Sequence, residues 1–224
     1  MPAVVDWGRR EYRDALAAMR ALARDRRGGA VPDTLILVEH PPVITVGVEG
    51  DDGAAASSGL PVVAVERGGR ATYHGPGQLV GYPIVDLEAR GRDVRRFVHE
   101  IEEVVVRAVR PFGITAGHVS GRRGVWVAGE RKLASIGIAV DHWVTFHGFA
   151  LNVDPDLGEF ARFHPCGFDG AVMTSITRET GRAVSLAEVK PSVVAAWEEV
   201  FAPSAVGDVA APALEPEPIA RPVA

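Results

Sequence analysis

Hydrophobic residues recur at helical spacing in three parts of the chain. Residues 8–25 place their apolar side chains on one face and predict a first helix. Residues 93–109 predict a second amphipathic helix, with Asp93 as its N-cap. A capping-box pattern that begins at Ser185 predicts a third helix, which Pro191 either kinks or restarts.

Between these helices, short runs of β-branched and other apolar residues predict strands. The predicted strands are residues 34–40, 43–47, 62–65, 79–87, 124–128, 133–140, 143–153 and 172–177. Residues 49–59 are small and polar and predict a loop. Strands come in runs, with helices between and after them, rather than in strict alternation. This order favours an α+β fold with a mixed or antiparallel sheet over a doubly wound fold.

Composition is typical of a globular protein and sets the domain boundaries. The chain has 224 residues, of which 47% are hydrophobic, so it can bury a substantial core. From residue 203 onward the chain becomes rich in Pro, Ala and Val. We therefore predict one domain over residues 1–202 and an irregular or disordered tail over residues 203–224.

Charge and hydropathy exclude several classes of protein. The net charge of −5 argues against extensive nucleic-acid binding, although a local basic patch remains possible. No apolar run reaches the roughly 18 residues of a membrane span. The start of the chain has no basic segment followed by an apolar core, so no secretory signal is visible. Together with a single cysteine, these features predict a cytoplasmic protein with a reduced thiol.

The single cysteine, Cys166, lies in the sequence Phe-His-Pro-Cys-Gly. One thiol cannot form an internal disulfide or supply a multi-thiolate metal site. Cys166 is therefore either a small buried hydrophobic residue or a reactive thiol, and free cysteines are most often buried. Pro165 and Gly167 favour a tight turn, and His164 supplies a nearby titratable group. These neighbours are typical of a nucleophile presented on a turn.

Lysine is rare in this chain: only Lys132 and Lys190 occur among the 24 basic residues. Lys190 lies in a polar, helix-like stretch that is compatible with simple surface exposure. Lys132 stands at the head of an apolar, strand-like run. A lysine can lose its proton when desolvated, whereas an arginine cannot, so a site that needs a cation able to act as a base requires lysine. The alternative is a strand-end lysine whose ammonium group reaches solvent.

A glycine-rich run from Arg67 to Gln78 contains four glycines and a proline. Its backbone N–H groups could approach an oxyanion, a phosphate or a carbonyl group, but a tight hairpin would need the same glycines. The run matches neither the P-loop nor the dinucleotide-binding pattern. No spacing of histidines or cysteines indicates a metal site. His147 is either a hydrogen-bonded core histidine or part of a site, and Gly148 could mark close approach of a ligand.

Several long motifs together resemble those of one enzyme family. In order along the chain they are Arg67-Gly-Gly, Thr72-Tyr-His-Gly-Pro-Gly-Gln78, Lys132 ahead of Ala-Ser-Ile-Gly, His147-Gly-Phe-Ala-Leu-Asn-Val153 and Pro165-Cys166-Gly167. They resemble the signature of the octanoyl-[acyl-carrier-protein]:protein N-octanoyltransferases of lipoate biosynthesis. The resemblance extends from about Val38 to Ile176. Phe149 and Leu133 replace the Leu and Ile usual in that family, which are conservative departures.

The resemblance implies a fold similar to the catalytic domain of biotin and lipoate protein ligases, with a mixed sheet and flanking helices. It implies Cys166 as the acyl-thioester nucleophile and Lys132 as its partner in a Cys–Lys dyad. It also implies a substrate pocket lined by Arg67, Gly68, Gly69, Arg70, Ala71, Thr72, Tyr73, His74, Ser135, Ile136, Gly137, Gly148, Phe149 and Ala150.

The same resemblance implies the partners of the reaction. The donor would be octanoyl-acyl carrier protein, with the acyl group on its phosphopantetheine arm, and no cofactor, metal or ATP would be needed. The acceptors would be apo lipoyl domains of 2-oxoacid dehydrogenases and the glycine cleavage H protein. Six arginines could form a basic patch for acidic partners, or could be scattered and solvated: Arg90, Arg92, Arg95, Arg96, Arg122 and Arg123.

Two competing interpretations remain. An ATP-dependent lipoate or biotin ligase shares the implied fold but needs no cysteine nucleophile, and here His-Gly-Pro-Gly-Gln replaces the His-Asp-x-Gly-Asn type of run found in lipoate ligases. A non-catalytic module that binds acyl carrier protein or lipoyl domains is the second. The presence of both Cys166 and Lys132 argues against it.

Overall fold

A seven-stranded mixed sheet forms the centre of the fold in the computed structural model, which describes residues 2–50, 53–162 and 172–202. In spatial order its strands are β1 (Ala3–Arg9), β2 (Thr34–Glu39), β6 (Gln78–Ile84), β10 (Val144–Asn152), β9 (Arg131–Asp141), β8 (Arg122–Val127) and β7 (Ala116–Val119). β1 and β2 pair in parallel, and the remaining neighbours pair antiparallel.

A second, three-stranded sheet lies beside the first. Its spatial order is β4 (Val62–Ala64), β3 (Val43–Val46) and β5 (Ala71–His74). β3 pairs with β4 in parallel and with β5 antiparallel. The two sheets with their helices confirm the predicted α+β class.

Five α-helices accompany the sheets in the described part of the chain: α1 (Tyr12–Arg27), α2 (Ala54–Ser57), α3 (Val94–Val109), α4 (Ile176–Thr180) and α5 (Leu186–Phe201). Short 3-10 helices span Glu88–Arg90, Arg110–Phe112 and Leu157–Arg162. The capping box at Ser185 is present, and Asp93 caps α3 by accepting from the Arg96 N–H group. None of these helices is both long and apolar enough to cross a bilayer.

The central strands are buried on both faces because helices cover each side. In β2, Leu35 and Leu37 face the core beneath α3 and α5, whereas Ile36 and Val38 face the core beneath α1. Such alternation follows from the two-residue period of a strand. Burial on both faces explains why the sequence of β2 is a nearly continuous run of apolar residues.

Several sequence predictions are corrected. Residues 3–9 form a strand, so the first two residues of the predicted helix belong to β1. α1 begins at Tyr12 instead of residue 8. The predicted strand at 172–177 is wrong, because Ser175 caps a short helix there by accepting from the Arg178 N–H group. α5 continues through Pro191 without restarting. The tail at 203–224 lies outside the described residues.

Candidate active site

A small cavity lies where the three-stranded sheet, α1 and the middle of the large sheet meet. Its free volume is about 40 Å³, enough for a few water molecules. It is lined by Tyr12, Arg67, Gly69, Thr72, His74, Val80, Tyr82, Ser135, Ile136, Gly137, His147, Gly148, Phe149 and Ala150. The three predicted segments around residues 67–74, 135–137 and 148–150 thus lie together at one place.

Four of the predicted pocket residues do not line this cavity. In β5 the side chains alternate, so Thr72 and His74 face the cavity while Ala71 and Tyr73 join an apolar cluster on the other side. Gly68 instead donates its N–H to the carbonyl oxygen of Ile138, at 3.0 Å. Arg70 lines a neighbouring cavity of about 190 Å³, which Lys132 also lines.

The glycine-rich run crosses from one sheet to the other. β5 pairs with β3, whereas β6 pairs with β2 and β10, so the two strands on either side of the His-Gly-Pro-Gly-Gln turn do not form a hairpin. Gly77 has a φ of +82°, and a Cβ atom there would lie 2.2 Å from the carbonyl oxygen of Asp154. A side chain at 77 would therefore separate the crossover from the segment that follows β10.

A series of side-chain and backbone hydrogen bonds connects the cavity to the backbone of Lys132. His74 Nδ1 lies 2.8 Å from Gln78 Oε1, and Gln78 Nε2 donates to Asn152 Oδ1 at 2.9 Å. Asn152 Nδ2 donates to the carbonyl oxygen of Thr174 at 2.9 Å, and the Thr174 N–H group donates to the carbonyl oxygen of Lys132 at 3.0 Å. We refer to this series as the His74–Lys132 chain.

Lys132 is buried, with only 2% of its surface exposed, so the alternative of a lysine that reaches solvent is wrong. Its Nζ lies 5.6 Å from the centre of the Trp126 ring, and its backbone forms a parallel bridge with Met173. Gly124 makes room for this side chain, because a Cβ atom at 124 would lie 2.9 Å from Lys132 Cε. Cys166, the partner implied for Lys132, lies outside the described residues.

Arg67 brings a positive charge to the cavity wall. Its Nη2 donates to both the carbonyl oxygen and Oγ1 of Thr45, each at 2.8 Å, and its Nη1 donates to the carbonyl oxygen of Gly68 at 3.0 Å. A guanidinium group keeps its charge at any pH at which the protein is folded, so the cavity wall carries a cationic side chain.

Burial keeps the histidines near the cavity neutral at pH 7. Burial lowers the pKa of His40 and that of His147 to about 4, and lowers the pKa of His74 well below its usual range. Burial also raises the pKa of Tyr12 to about 12. These neutral imidazoles and the phenol can donate or accept hydrogen bonds, but they add no second charge to that of Arg67.

His147 is held in an unusual backbone conformation, with a φ of +57°. Its backbone N–H donates to Met19 Sδ at 3.1 Å, while Nε2 has no hydrogen-bond partner among the described residues. Glu66 Oε2 is 3.7 Å from Nε2, which is too long for a hydrogen bond. The alternative of a fully hydrogen-bonded core histidine is therefore wrong. The positive φ and the Nε2 atom without a hydrogen bond together mark His147 as a candidate functional residue.

Two glycines that line the cavity have no room for a side chain, because atoms of neighbouring segments lie against them. A Cβ atom at Gly148 would lie 2.0 Å from the carbonyl oxygen of Gly81, on the adjacent strand β6. A Cβ atom at Gly137 would lie 2.9 Å from both Arg67 Cδ and the carbonyl oxygen of Gly68. Packing between protein segments thus already requires Gly148, for which the sequence suggested close approach of a ligand.

Sequence reasoning missed three residues that line the cavity. Tyr12 comes from α1, and Val80 and Tyr82 come from β6. In the sequence all three read as ordinary core positions, and no motif distinguishes them. The described residues contain one group of metal-ligand side chains, and it lies away from this cavity.

Comparisons with known proteins identify the fold. A lipoate-protein ligase A solved with bound ATP superposes with a TM-score of 0.74 at 19% identity, covering 89% of this chain and 85% of that chain. The biotin protein ligase of Aquifex aeolicus gives a TM-score of 0.51 at 11% identity, covering 89% of this chain and 68% of that one. Such low identities show the fold alone, and they confirm the predicted resemblance to biotin and lipoate ligases.

Sequence comparison identifies the family. The family described as "Lipoyl protein ligase A/B catalytic domain" matches residues 11–198. An octanoyltransferase of Geobacter sulfurreducens is 45% identical over 221 residues, which cover 93% of this chain and 94% of that protein. Similarity of this extent confirms the resemblance carried by the motifs: the chain belongs to the octanoyltransferases, the acyltransferases of lipoate biosynthesis that share the lipoyl protein ligase A/B catalytic domain.

Proposed function

We propose that this chain transfers an octanoyl group from octanoyl-acyl carrier protein to a lysine of apo lipoyl domains, through an acyl thioester on Cys166. The observation that carries the proposal is the burial of Lys132, which is only 2% exposed. Its backbone pairs with Met173, seven positions after Cys166 in the sequence. A lysine ammonium group that approaches a cysteine is suited to stabilise its thiolate form.

The first half of the reaction loads the enzyme. A free thiol with a pKa of about 8.5 is mostly protonated at neutral pH, and the Lys132 ammonium favours its thiolate form. The thiolate attacks the carbonyl carbon of the donor thioester, forming a new C–S bond as the bond to the phosphopantetheine sulfur breaks. The carrier leaves as a thiolate and takes its proton from the Lys132 ammonium group, which leaves Lys132 neutral.

The second half transfers the acyl group to the acceptor. The amine of the lipoyl-domain lysine attacks the octanoyl-Cys166 carbonyl, the C–N bond forms, and the Cys166 sulfur leaves. Lys132, left neutral by the first half, accepts the proton lost from the attacking amine, which restores the ammonium–thiolate pair. Because a thioester is already activated, neither ATP nor another cofactor is required.

The cavity supplies binding and charge stabilisation. Val80, Ile136 and Phe149 give it apolar walls, and burying an acyl chain contributes about 0.8 kcal/mol for each CH₂ group. The Arg67 guanidinium group and backbone N–H groups near Ser135–Gly137 stabilise the negative charge on the thioester oxygen. Since the free volume is about 40 Å³, the walls must separate to admit an eight-carbon chain.

Four of the six arginines suggested as a docking patch form ion pairs. Arg90 and Arg96 pair with Glu100, Arg92 pairs with Glu88, and Arg123 pairs with Glu49. These ion pairs favour the alternative of scattered, solvated arginines. Recognition of acidic carrier and lipoyl domains, including those of 2-oxoacid dehydrogenases and the glycine cleavage H protein, then depends on other surfaces.

Mass spectrometry of the intact protein after incubation with octanoyl-acyl carrier protein, without ATP, tests the covalent step. The wild type should gain one octanoyl group on Cys166, and an apo lipoyl domain should discharge it. Cys166→Ala should gain none. Octanoylation of the lipoyl domain only when ATP and free octanoate are supplied would overturn the proposal and indicate a ligase.

The two lysines provide a matched pair for testing the partner of Cys166. Lys132→Met should slow octanoyl transfer by about 10²-fold or more, because it removes a general base and the thiolate-stabilising charge. Lys190→Met removes an exposed ion pair to Asp6, at 2.6 Å, and should leave the rate unchanged. Equal rates for the two variants, with both folded, would contradict the role given to Lys132.

A further inference from the structure

Three side chains that are suited to bind a metal lie close together where α3 packs against β7. His99 and Glu102 are three residues apart on α3, and His118 lies on β7. One ring nitrogen of each histidine and one carboxylate oxygen lie within 4.8 Å of one another. The sequence gives no hint of this group, since His118 is distant along the chain and no short motif joins the three residues.

The orientation of Glu102 divides its two oxygens between different tasks. Oε1 accepts the backbone N–H of Gly124 at 3.0 Å, which fixes the carboxylate. Oε2 faces both imidazoles, 2.9 Å from His118 Nδ1 and 3.8 Å from His99 Nδ1. A hydrogen bond from an outer group to a ligating carboxylate is a regular feature of protein metal sites.

We propose that His99, Glu102 and His118 bind a divalent transition-metal ion, with Zn²⁺ as the best match. Two imidazoles and one carboxylate are a common three-ligand set for zinc. Ligand atoms bound to a tetrahedral ion at 2.0–2.1 Å lie about 3.4 Å apart. The distances of 2.9 and 3.8 Å from Glu102 Oε2 to the two histidine nitrogens lie on either side of that value. All three ligand atoms lie within 4.8 Å of one another, so rotation of the side chains can bring them around one ion.

The exposure of the group suits an ion that enters from solvent. The side chain of His99 is 66% exposed and that of His118 is 33% exposed, whereas that of Glu102 is only 11% exposed. The two rings can therefore adjust around a fixed carboxylate, and solvent can occupy the fourth position of the ion. The inference does not rest on octanoyl transfer, because none of the three residues lines the cavity.

Calorimetric titration of the metal-free full chain with Zn²⁺ alone tests the site, with elemental analysis for the stoichiometry. The wild type should bind one equivalent. His99→Ala, His118→Ala and Glu102→Gln should each weaken binding by about tenfold or more. The amide oxygen of Gln at 102 can still accept from Gly124, so this variant separates ligation from structural support.

Two further variants show whether the zinc lies elsewhere. His142→Ala removes an exposed histidine outside the group, and Cys166→Ser removes the single thiol. Both should bind Zn²⁺ as the wild type does. Three results would overturn the proposal: no binding to the wild type, loss of binding in Cys166→Ser, or unchanged binding in His118→Ala. The group would then be only a hydrogen-bonded imidazole–carboxylate contact.

Discussion

The two faces of the large sheet bury side chains of different character. Beneath α3 and α5 the core is apolar, with Leu35 and Phe97 almost completely buried among aliphatic and aromatic neighbours. On the opposite face, around the cavity, the buried residues include Arg67, His74 and His147. The same central strands supply both faces, so the difference lies in what the helices and the small sheet place against them.

Apolar and polar side chains have opposite effects on the stability of the fold when they are buried. Burial of apolar surface favours folding at about 25 cal/mol per Å². A buried charge or an unsatisfied imidazole opposes folding, because its interactions with water are lost. Arg67 and His147 both line the cavity, and this position favours a role in the site for these two buried polar side chains.

The largest expected effect comes from the apolar face. Phe97 is 1% exposed, and its ring centre lies 5.9 Å from that of Phe201 on α5. Phe97→Ala should lower the free energy of unfolding by about 3–5 kcal/mol, measured by urea denaturation. The transfer rate per folded molecule should stay at the wild-type value below the melting temperature. A folded but inactive Phe97→Ala protein would show that the two faces are not separable.

A smaller effect is expected within the His74–Lys132 chain. Asn152→Leu keeps the side-chain volume but leaves Gln78 Nε2 and the Thr174 carbonyl oxygen without their partner. It should cost about 1–3 kcal/mol in unfolding free energy, and transfer should also slow, because Thr174 supports Lys132. Gln78→Leu combined with Asn152→Leu should cost less than the sum of the single changes, as measured by a double-mutant cycle. Additive costs would mean that the hydrogen bonds of the His74–Lys132 chain do not act as a unit.

The smallest effect, for a change of one pH unit, is expected from the neutral histidines. The pKa of His147 is about 4 in the folded protein against 6.5 in the unfolded chain, so the unfolded state binds more protons between these values. The free energy of unfolding should therefore fall as the pH drops from 6.5 towards 4, by up to about 1.4 kcal/mol per pH unit for each such histidine.

His147→Asn tests this pH effect. Asn does not titrate and tolerates a positive φ, so the variant should show a shallower loss of stability with acidification, measured by urea denaturation at pH 7, 6 and 5. His142→Asn makes the same substitution at an exposed histidine that also has a positive φ, and it serves as the matched comparison. An unchanged slope in His147→Asn would mean that this imidazole already ionises within the folded protein.

Much of the fold could be predicted because periodic patterns are strong. The helical faces of α1, α3 and α5 and the buried runs of the central strands were visible in the sequence. β1 was missed because it is an edge strand whose short sequence shows no clear alternation. β5 was missed because its four residues lie inside a glycine-rich run, and α4 because five residues give no helical period.

The site was partly predictable for a different reason. Motifs identified residues 67–74, 135–137 and 148–150, and the fold brings ten of these residues to one cavity. Motifs could not identify Tyr12 or Tyr82, whose contribution depends on how α1 and β6 pack. The metal-ligand group was also invisible, because a helix and a distant strand bring its members together only in three dimensions.

The glycine walls of the cavity bear on attempts to change which acyl groups the enzyme accepts. At Gly137 and Gly148 the wall is backbone, and there is no side chain to trim. Substitution at these positions can only narrow the space or push neighbouring strands apart. Redesign towards longer chains must therefore begin at Val80, Ile136 or Phe149, where a smaller residue removes atoms from the wall. Substitutions at both kinds of position can narrow the range of accepted acyl groups, but only a smaller side chain can widen it.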